Sequence, residues 1–186
     1  TETYSPLAAR QEETLENAVW TNQFDNIANR EAHILTTGPE IWAQTRETGL
    51  DGFICATGTG GTLAGTTRYL KDVSRGQVQC WLADPPGSVL HSYVQTKGEC
   101  MERTGNGSIT EGIGQGRLTS NMSPDISLID NSLHIEDEAS IAMVFRMLDE
   151  EGLYIGASSA VNIVAAARMA EKLGKGCMVE SSLCEG

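Results

Sequence analysis

A glycine-rich turn, Gly58-Thr59-Gly60-Gly61-Thr62, has the residue types that bind an anion through the backbone. Glycine lets the chain come close to a ligand and point its N–H groups inward. A helix predicted directly after the turn would add the positive end of its dipole. The turn therefore predicts a phosphate site, and the alternative is a tight strand-to-helix turn without a ligand.

A second polar segment, from Gly156 to Asn162 (GASSAVN), joins a predicted strand to an apolar helix. Ser158 or Ser159 would suit the N-cap of that helix, because a hydroxyl accepts a hydrogen bond from the free N–H groups there. A hydroxyl just beyond a strand end can also face a heteroatom of a bound ligand. The spacing alone favours capping and leaves the ligand role open.

Amides are dense in a third segment, from Thr21 to Asn26 (TNQFDN), which is followed by Ala28-Asn29-Arg30. Asn and Asp side chains often satisfy the local backbone in turns, and this reading is favoured. The alternative is a polar pocket that receives a carboxylate.

A dinucleotide-binding fold competes for the glycine-rich turn. Its fingerprint, G-x-G-x-x-G, is followed about 20 residues later by an acid. Gly58 and Gly60 fit the first two positions, but Leu63 occupies the third. The candidate acid, Asp84, is followed by two prolines, which is more typical of a strand terminator.

Hydrophobic patterning predicts the elements that position these segments. An apolar run from Asp51 to Thr57, a helix from Leu63 to Val73 and a strand from Val78 to Asp84 form a βαβ unit, which implies a parallel sheet. The other predicted elements are a helix from Pro39 to about Thr48, a helix from an N-cap at Asp137 to Gly152, a strand from Leu153 to Ala157, a buried helix from Ser159 to Leu173 and a last strand beginning at Cys177. Residues 86–127 are predicted to be rich in loops.

Composition limits the partners. The chain has 186 residues and a formal net charge of -12, which argues against nucleic acid because phosphate backbones need clustered Lys and Arg. No apolar run approaches the ~20 residues of a membrane span. The five cysteines are odd in number and form no Cys-x-x-Cys, so neither a disulfide framework nor a zinc site is predicted. An intracellular compartment, either the cytoplasm or the mitochondrion, is expected.

Taken together, the segments resemble the cysteine-synthase family of pyridoxal-phosphate (PLP) enzymes, which have the tryptophan-synthase-β-like fold. The resemblance covers nearly the whole chain in the order of the family's motifs. Its segments are Asn22 to Trp42 (NQFDNIANREAHILTTGPEIW), Gly58 to Thr62, Glu111 to Gly114 (EGIG) and Gly156 to Asn162. GASSAVN and the ADPPGS after the second strand look closest to fungal cysteine synthase 2 and cysteine-desulfhydrase-like enzymes.

The resemblance implies an α/β fold with a largely parallel sheet flanked by helices, and it assigns roles to particular residues. It implies that Ser158 hydrogen-bonds the pyridine nitrogen and that Gln23 contacts the substrate carboxylate. The residues implied to hold the cofactor phosphate are Gly58, Thr59, Gly60, Gly61 and Thr62, and those implied to flank cofactor and substrate are Gly112, Ile113 and Gly114.

The sequence departs from the family pattern in its lysines. The family's Schiff-base lysine lies near the N-terminus, and none of Lys71, Lys97, Lys172 and Lys175 matches its motif. No catalytic residue is therefore assigned. Residues 1–186 are expected to be a partial domain, mostly the larger cofactor-phosphate domain without the lysine region. The segment from Met178 to Cys184 also departs from the family's last strand.

The activity implied for the family is β-replacement, which converts O-acetyl-L-serine and sulfide to L-cysteine and acetate. The fragment itself is expected to be inactive, and the full-length form to be a homodimer. Two alternatives stay open. One is an L-cysteine desulfhydrase, which runs β-elimination on the same scaffold. The other is a partial chain that binds PLP or a partner without catalysis.

Overall fold

A computed structural model describes Ala8 and residues 13–183. In these residues a parallel sheet is surrounded by helices. The elements, in chain order, are α1 (Ala28–Leu35), α2 (Thr37–Gln44), β1 (Gly52–Ala56), α3 (Gly61–Ser74), β2 (Gln79–Asp84), α4 (Leu90–Gln95), a 3-10 turn (Ile126–Leu128), β3 (Asn131–His134), α5 (Asp137–Glu151), α6 (Ala157–Leu173) and β4 (Val179–Ser181).

The sheet has the strand order β3-β2-β1-β4, and every pairing is parallel. β1 pairs with β2 along its whole length, from Gly52 opposite Gln79 to Ala56 opposite Ala83. On its other side β1 pairs with β4 only as far as Ile54. All five residues of β1 are buried, which explains why a continuous apolar run predicted this strand.

Side chains of β1 alternate between two apolar layers, as the pleat of a strand requires. Phe53 and Cys55 face a cluster that includes Leu63 and Leu70 of α3. Ile54 and Ala56 face the other cluster. The buried residues of α6 in the second cluster are Val161, Val164, Ala165 and Met169. Helices therefore cover both faces of the sheet, and the predicted α/β class is confirmed.

The βαβ unit is confirmed, and its helix begins earlier than predicted. Gly61 and Thr62 already belong to the first turn of α3. Gly152 ends α5 in the left-handed conformation, with a φ of 70°, as expected for a glycine C-cap. Asp137 begins α5 but does not cap it. Its carboxylate instead accepts hydrogen bonds from the Ser108 hydroxyl and the Ile109 N–H.

One prediction about the sheet is wrong, and one strand was not predicted. No strand forms between Leu153 and Ala157, where the side chains of Leu153 and Tyr154 are 50% and 87% exposed and no strand of the described residues pairs with this segment. The strand β3 was not predicted, because Asn131-Ser132-Leu133-His134 has no apolar run. The loop-rich region also contains the short helix α4. Within the described residues, no helix has the length and apolarity needed to cross a membrane.

Candidate functional site

The glycine-rich turn and the N-terminus of α6 meet at the carboxyl edge of the sheet. β1 ends at Ala56, and the turn follows it directly into α3. The buried side chain of Asn162 in α6 accepts a hydrogen bond from the Ala56 N–H at 2.7 Å, which places the start of α6 beside the same strand end. Ligands of open parallel sheets bind at this edge.

The glycine-rich turn presents unpaired backbone donors. Gly60 is the N-cap of α3 and has a φ of +88°, a conformation that glycine adopts readily. Within the described residues, the backbone N–H groups of Thr59, Gly60 and Thr62 have no hydrogen-bond acceptor. These donors lie at the positive end of the α3 dipole. The arrangement fits an anionic group such as a phosphate.

Protein packing around the turn also requires its glycines. A Cβ atom on Gly58 would clash with the carbonyl oxygen of Gly112, and one on Gly61 would clash with the side-chain amide of Asn29. A Cβ on Gly60 would lie 2.8 Å from the Cβ of Met122. Neighbouring segments therefore enclose the turn, in which Gly60 and Gly61 are buried and Gly58, Thr59 and Thr62 are half-buried.

Asn29 connects the amide-rich segment to the turn. Its Nδ2 donates to the Gln23 carbonyl and to the Thr59 hydroxyl, both at 3.0 Å. The Thr119 hydroxyl donates to the Thr59 carbonyl at 2.7 Å, and Asn121 Nδ2 donates to the Gln23 carbonyl at 2.8 Å. These bonds fix the backbone of Gln23 beside the turn. Gln23 itself is exposed, so its side chain is available to a ligand.

The hydroxyl of Thr62 is held by a histidine. His33 Nε2 lies 3.1 Å from the Thr62 hydroxyl oxygen, and His33 Nδ1 lies 2.9 Å from the Thr37 hydroxyl oxygen. Burial lowers the pKa of His33 below its usual value, so the neutral ring is favoured. This ring therefore joins the glycine-rich turn to the start of α2.

The turn from Gly112 to Gly114 lies against the same strand end. Gly112 and Gly114 have φ angles of +79° and +85°, and the Gly114 N–H donates to the Thr57 carbonyl at 2.9 Å. Ile113 is half-buried and packs against the second apolar cluster. The structure therefore brings this turn next to Gly58.

Ser158 lies in the first turn of α6 and is half-buried. The N-cap is Gly156, and no side chain caps the helix, so the capping hypothesis for Ser158 and Ser159 is wrong. The Ser158 hydroxyl has no hydrogen-bond partner within the described residues, although its carbonyl accepts from Asn162 Nδ2 at 3.2 Å. A free hydroxyl at the sheet edge is available to a ligand atom.

Asp84 does not have the position that the dinucleotide hypothesis requires. Its side chain is fully buried at the end of β2 and accepts the His91 N–H at 2.7 Å. Burial raises its pKa to about 6. A carboxylate enclosed in this way is not free to bind a ribose hydroxyl, and Leu63, in the third glycine position, lies in the core.

The four lysines lie away from this edge. On α3, Lys71 is ten residues beyond Gly61, about 15 Å at the rise of a helix, and its Nζ donates to the Val78 carbonyl. On α6, Lys172 is 14 residues beyond Ser158, about 21 Å. Lys97 follows the C-terminal end of α4, and Lys175 follows that of α6. None is placed to reach a ligand at the glycine-rich turn.

An ion pair fastens the segment around Thr119 over the turn. Asp25 accepts two hydrogen bonds from Arg117, at 3.0 and 2.7 Å, and one from the Ser120 N–H at 3.0 Å. Hydrogen bonding from the Arg117 guanidinium is the main reason why the pKa of Asp25 is lowered from 3.8 to about 2. Sequence patterns gave no sign of this pair, because its partners are 92 residues apart.

Asp25→Asn should lower the free energy of unfolding by about 1 kcal/mol at neutral pH, a value reduced for the partial exposure of both side chains. Because the pKa is lower in the folded state, this stability is present above the unfolded pKa of 3.8 and is lost as the pH falls toward about 2. Urea unfolding at several pH values measures the difference. Asp149→Asn, at an exposed residue, is the control and should change stability by less than about 0.5 kcal/mol. A difference that stays constant down to the lowest pH would contradict the assignment.

Sequence comparisons identify the relatives of this chain. The profile of the family described as "Pyridoxal-phosphate dependent enzyme" matches residues 2–182. "Cysteine synthase 1" of Neurospora crassa is 65% identical over the whole chain, which covers 49% of that protein. "Cysteine synthase 1" of Emericella nidulans is 64% identical, again over the whole chain and 50% of the relative. The chain spans about half the length of these curated relatives.

The fungal branch differs from the one expected from GASSAVN and ADPPGS. "Cysteine synthase 2" of Schizosaccharomyces pombe is 45% identical over 88% of the chain and 43% of that protein, less than the two proteins named cysteine synthase 1. The motifs therefore indicated the family correctly and its fungal branch incorrectly.

Solved structures agree with the fold. An O-acetylserine dependent cystathionine β-synthase from Helicobacter pylori is 29% identical and superposes with a TM-score of 0.80, over 96% of this chain and 54% of that one. A hydrogen sulfide-producing enzyme from Fusobacterium nucleatum is 28% identical, with a TM-score of 0.81 over 100% of this chain and 57% of that one.

The chemistry of the groups at this edge is compatible with the two ends of PLP. The unpaired N–H groups around Gly60 suit its phosphate, and the free Ser158 hydroxyl suits its pyridine nitrogen. The dinucleotide alternative fails on Leu63 and Asp84 and finds no support in the family match. With a profile match over almost its entire length, this chain belongs to the family of pyridoxal-phosphate-dependent enzymes.

Proposed function

We propose that this chain supplies the cofactor-phosphate part of a cysteine synthase, which converts O-acetyl-L-serine and sulfide to L-cysteine and acetate. In this reaction the bond between the β-carbon and the acetate oxygen breaks, and a bond between the β-carbon and sulfur forms. The observation that carries the proposal is the set of unpaired N–H groups in the turn from Gly58 to Thr62, at the sheet edge that also bears Ser158. The two fungal relatives more than 60% identical to the chain support the choice of reaction.

The residues of this chain would bind and orient rather than transfer protons. When bound, PLP supplies an electron sink for the α-carbon of the substrate. The turn from Gly58 to Thr62 would hold the phosphate, and Ser158 would donate a neutral hydrogen bond to the pyridine nitrogen. Gln23 would contact the substrate carboxylate, and the turn from Gly112 to Gly114 would flank cofactor and substrate.

The first test is whether the chain binds PLP. A titration measures this binding through the absorbance of PLP or the tryptophan fluorescence of the chain. We expect saturable binding that inorganic phosphate displaces, because the phosphate turn is formed within the chain. Binding that phosphate cannot displace would contradict the role of the turn. Absence of any binding would overturn the cofactor assignment for this chain.

The second test is turnover. With PLP, O-acetylserine and sulfide, the chain should form cysteine no faster than free PLP does, because no lysine of the chain reaches the glycine-rich turn. The family's lysine would serve as both cofactor anchor and base. The full-length protein is the positive control. Turnover by the chain well above the background of free PLP would show that one of its four lysines reaches the site.

L-Cysteine desulfhydrase activity is the second candidate, favoured by the structural similarity to the Fusobacterium enzyme described as hydrogen sulfide-producing. Elimination and replacement use the same binding groups and differ in whether sulfide leaves or attacks. Comparing sulfide release from cysteine with cysteine formation from O-acetylserine, on the full-length protein, separates the two. If the chain binds PLP and the full-length protein has neither activity, the result would support the non-catalytic alternative.

We also propose a homodimer for the full-length form and an intracellular location. Apolar side chains on the outer face of α5, Ile141, Phe145 and Leu148, are 43%, 61% and 43% exposed and could be covered in an assembly. Among the described residues, Cys80, Cys100 and Cys177 are free thiols, which suits a reducing compartment.

A further inference from the structure

Asn162 is a fully buried amide between the two parts of the candidate site. Its Oδ1 accepts the N–H of Ala56, the last residue of β1, at 2.7 Å. Its Nδ2 donates to the carbonyl of Ser158 at 3.2 Å. One side chain thus joins the strand that leads into the glycine-rich turn to the helical turn that carries the Ser158 hydroxyl.

The Ala56 N–H needs this partner because no strand of the described residues pairs with it on this side of β1. The Gly52 N–H donates to the Met178 carbonyl on the side of β4. Alternate residues of a strand point the same way, so the Ala56 N–H also points toward β4. The pairing of β1 with β4 stops at Ile54 opposite Ser181. Asn162 therefore takes the place of the missing strand partner.

We propose that Asn162 is a positioning residue that sets the spacing between the phosphate turn and Ser158. The proposal rests on the function proposed above, which assigns the two groups to the two ends of one PLP molecule. PLP must meet the phosphate turn and the Ser158 hydroxyl together, whereas inorganic phosphate needs only the turn. Loss of Asn162 should therefore weaken PLP binding and leave phosphate binding unchanged.

The experiment compares dissociation constants of PLP and inorganic phosphate for the full chain and its variants. Asn162→Ala should weaken PLP binding about tenfold, the value of one lost hydrogen bond, with less than twofold change for phosphate. Val164→Ala, at a buried position of the same helix, is the matched control. It should lower the melting temperature and leave the ratio of the two constants unchanged.

A double-variant cycle tests whether Asn162 acts through Ser158. Once Ser158→Ala has removed the hydroxyl, Asn162→Ala should weaken PLP binding no further. A full tenfold loss in the Ser158→Ala background would overturn the proposal. So would an equal loss of phosphate and PLP binding, or the same loss of PLP binding in Val164→Ala. If the unsubstituted chain binds neither ligand, the proposed function fails and this inference fails with it.

Asn162→Asp provides a second variant in case the alanine variant does not fold. At mildly alkaline pH its carboxylate keeps an acceptor for the Ala56 N–H but has no proton for the Ser158 carbonyl. We expect a folded chain whose phosphate affinity is retained and whose PLP affinity is lower. PLP affinity equal to that of the unsubstituted chain would show that the bond from Asn162 to Ser158 has no positioning role.

Discussion

Asp125→Ala should lower the free energy of unfolding by about 3–5 kcal/mol, because it leaves a buried cation without its partner. The Asp125 carboxylate is fully buried, and both of its oxygens are paired. Oδ2 accepts from Arg30 Nε, and Oδ1 accepts from Arg68 Nε and Nη2 at 2.8 and 2.7 Å. The Arg30 side chain is only 14% exposed, so water can compensate little for the lost carboxylate.

Denaturant unfolding measures this effect, and Asp72→Ala is its control. The Asp72 carboxylate is 68% exposed and lies 3.9 Å from the same Arg68, so its loss should change stability by less than about 1 kcal/mol. Asp125 also ends the segment after Thr119 and Met122 that encloses the glycine-rich turn, so the destabilised variant should bind PLP less tightly. A loss of stability below about 1 kcal/mol for Asp125→Ala would show that Arg30 finds another partner.

Local chemistry explains what the sequence could predict. The turn from Gly58 to Thr62 could be predicted because three glycines stand between an apolar run and a helix, and β1 could be predicted because its buried residues form a continuous run. The left-handed Gly152 ended α5 for an equally local reason. In each case the relevant interactions lie within a few residues of the signal.

Long-range contacts explain what the sequence could not predict. Asn121 reaches Gln23 across 98 residues, and Asp125 reaches Arg30 across 95, so no spacing pattern marks them. β3 was missed because its burial comes from neighbours rather than from its own composition. Ser158 suited a cap equally well, and only the position of Gly156 as N-cap shows that its hydroxyl is free of that role.

Gly60→Asp should abolish useful binding of phosphate and PLP. A carboxylate at this N-cap would lie beside the donors of Thr59 and Thr62 and repel an anionic guest. Two like charges about 5 Å apart repel by about 3 kcal/mol at an effective dielectric constant of about 20, which corresponds to a loss of more than about 100-fold in affinity. The dissociation constant for inorganic phosphate, measured by calorimetry, is the direct observable.

Gly60→Ala is the matched variant, because it separates charge from backbone strain. Both side chains place a Cβ 2.8 Å from Met122 Cβ, and both must adopt the φ of +88°. Aspartate tolerates this left-handed conformation better than alanine does. If the turn were only structural, the aspartate variant would be at least as stable as the alanine variant and would bind phosphate no more weakly. If the turn holds a phosphate, Gly60→Asp should be the more stable variant and yet bind phosphate far more weakly than Gly60→Ala. Equal affinities in the two variants would contradict the anion site, whatever the loss of stability that they share.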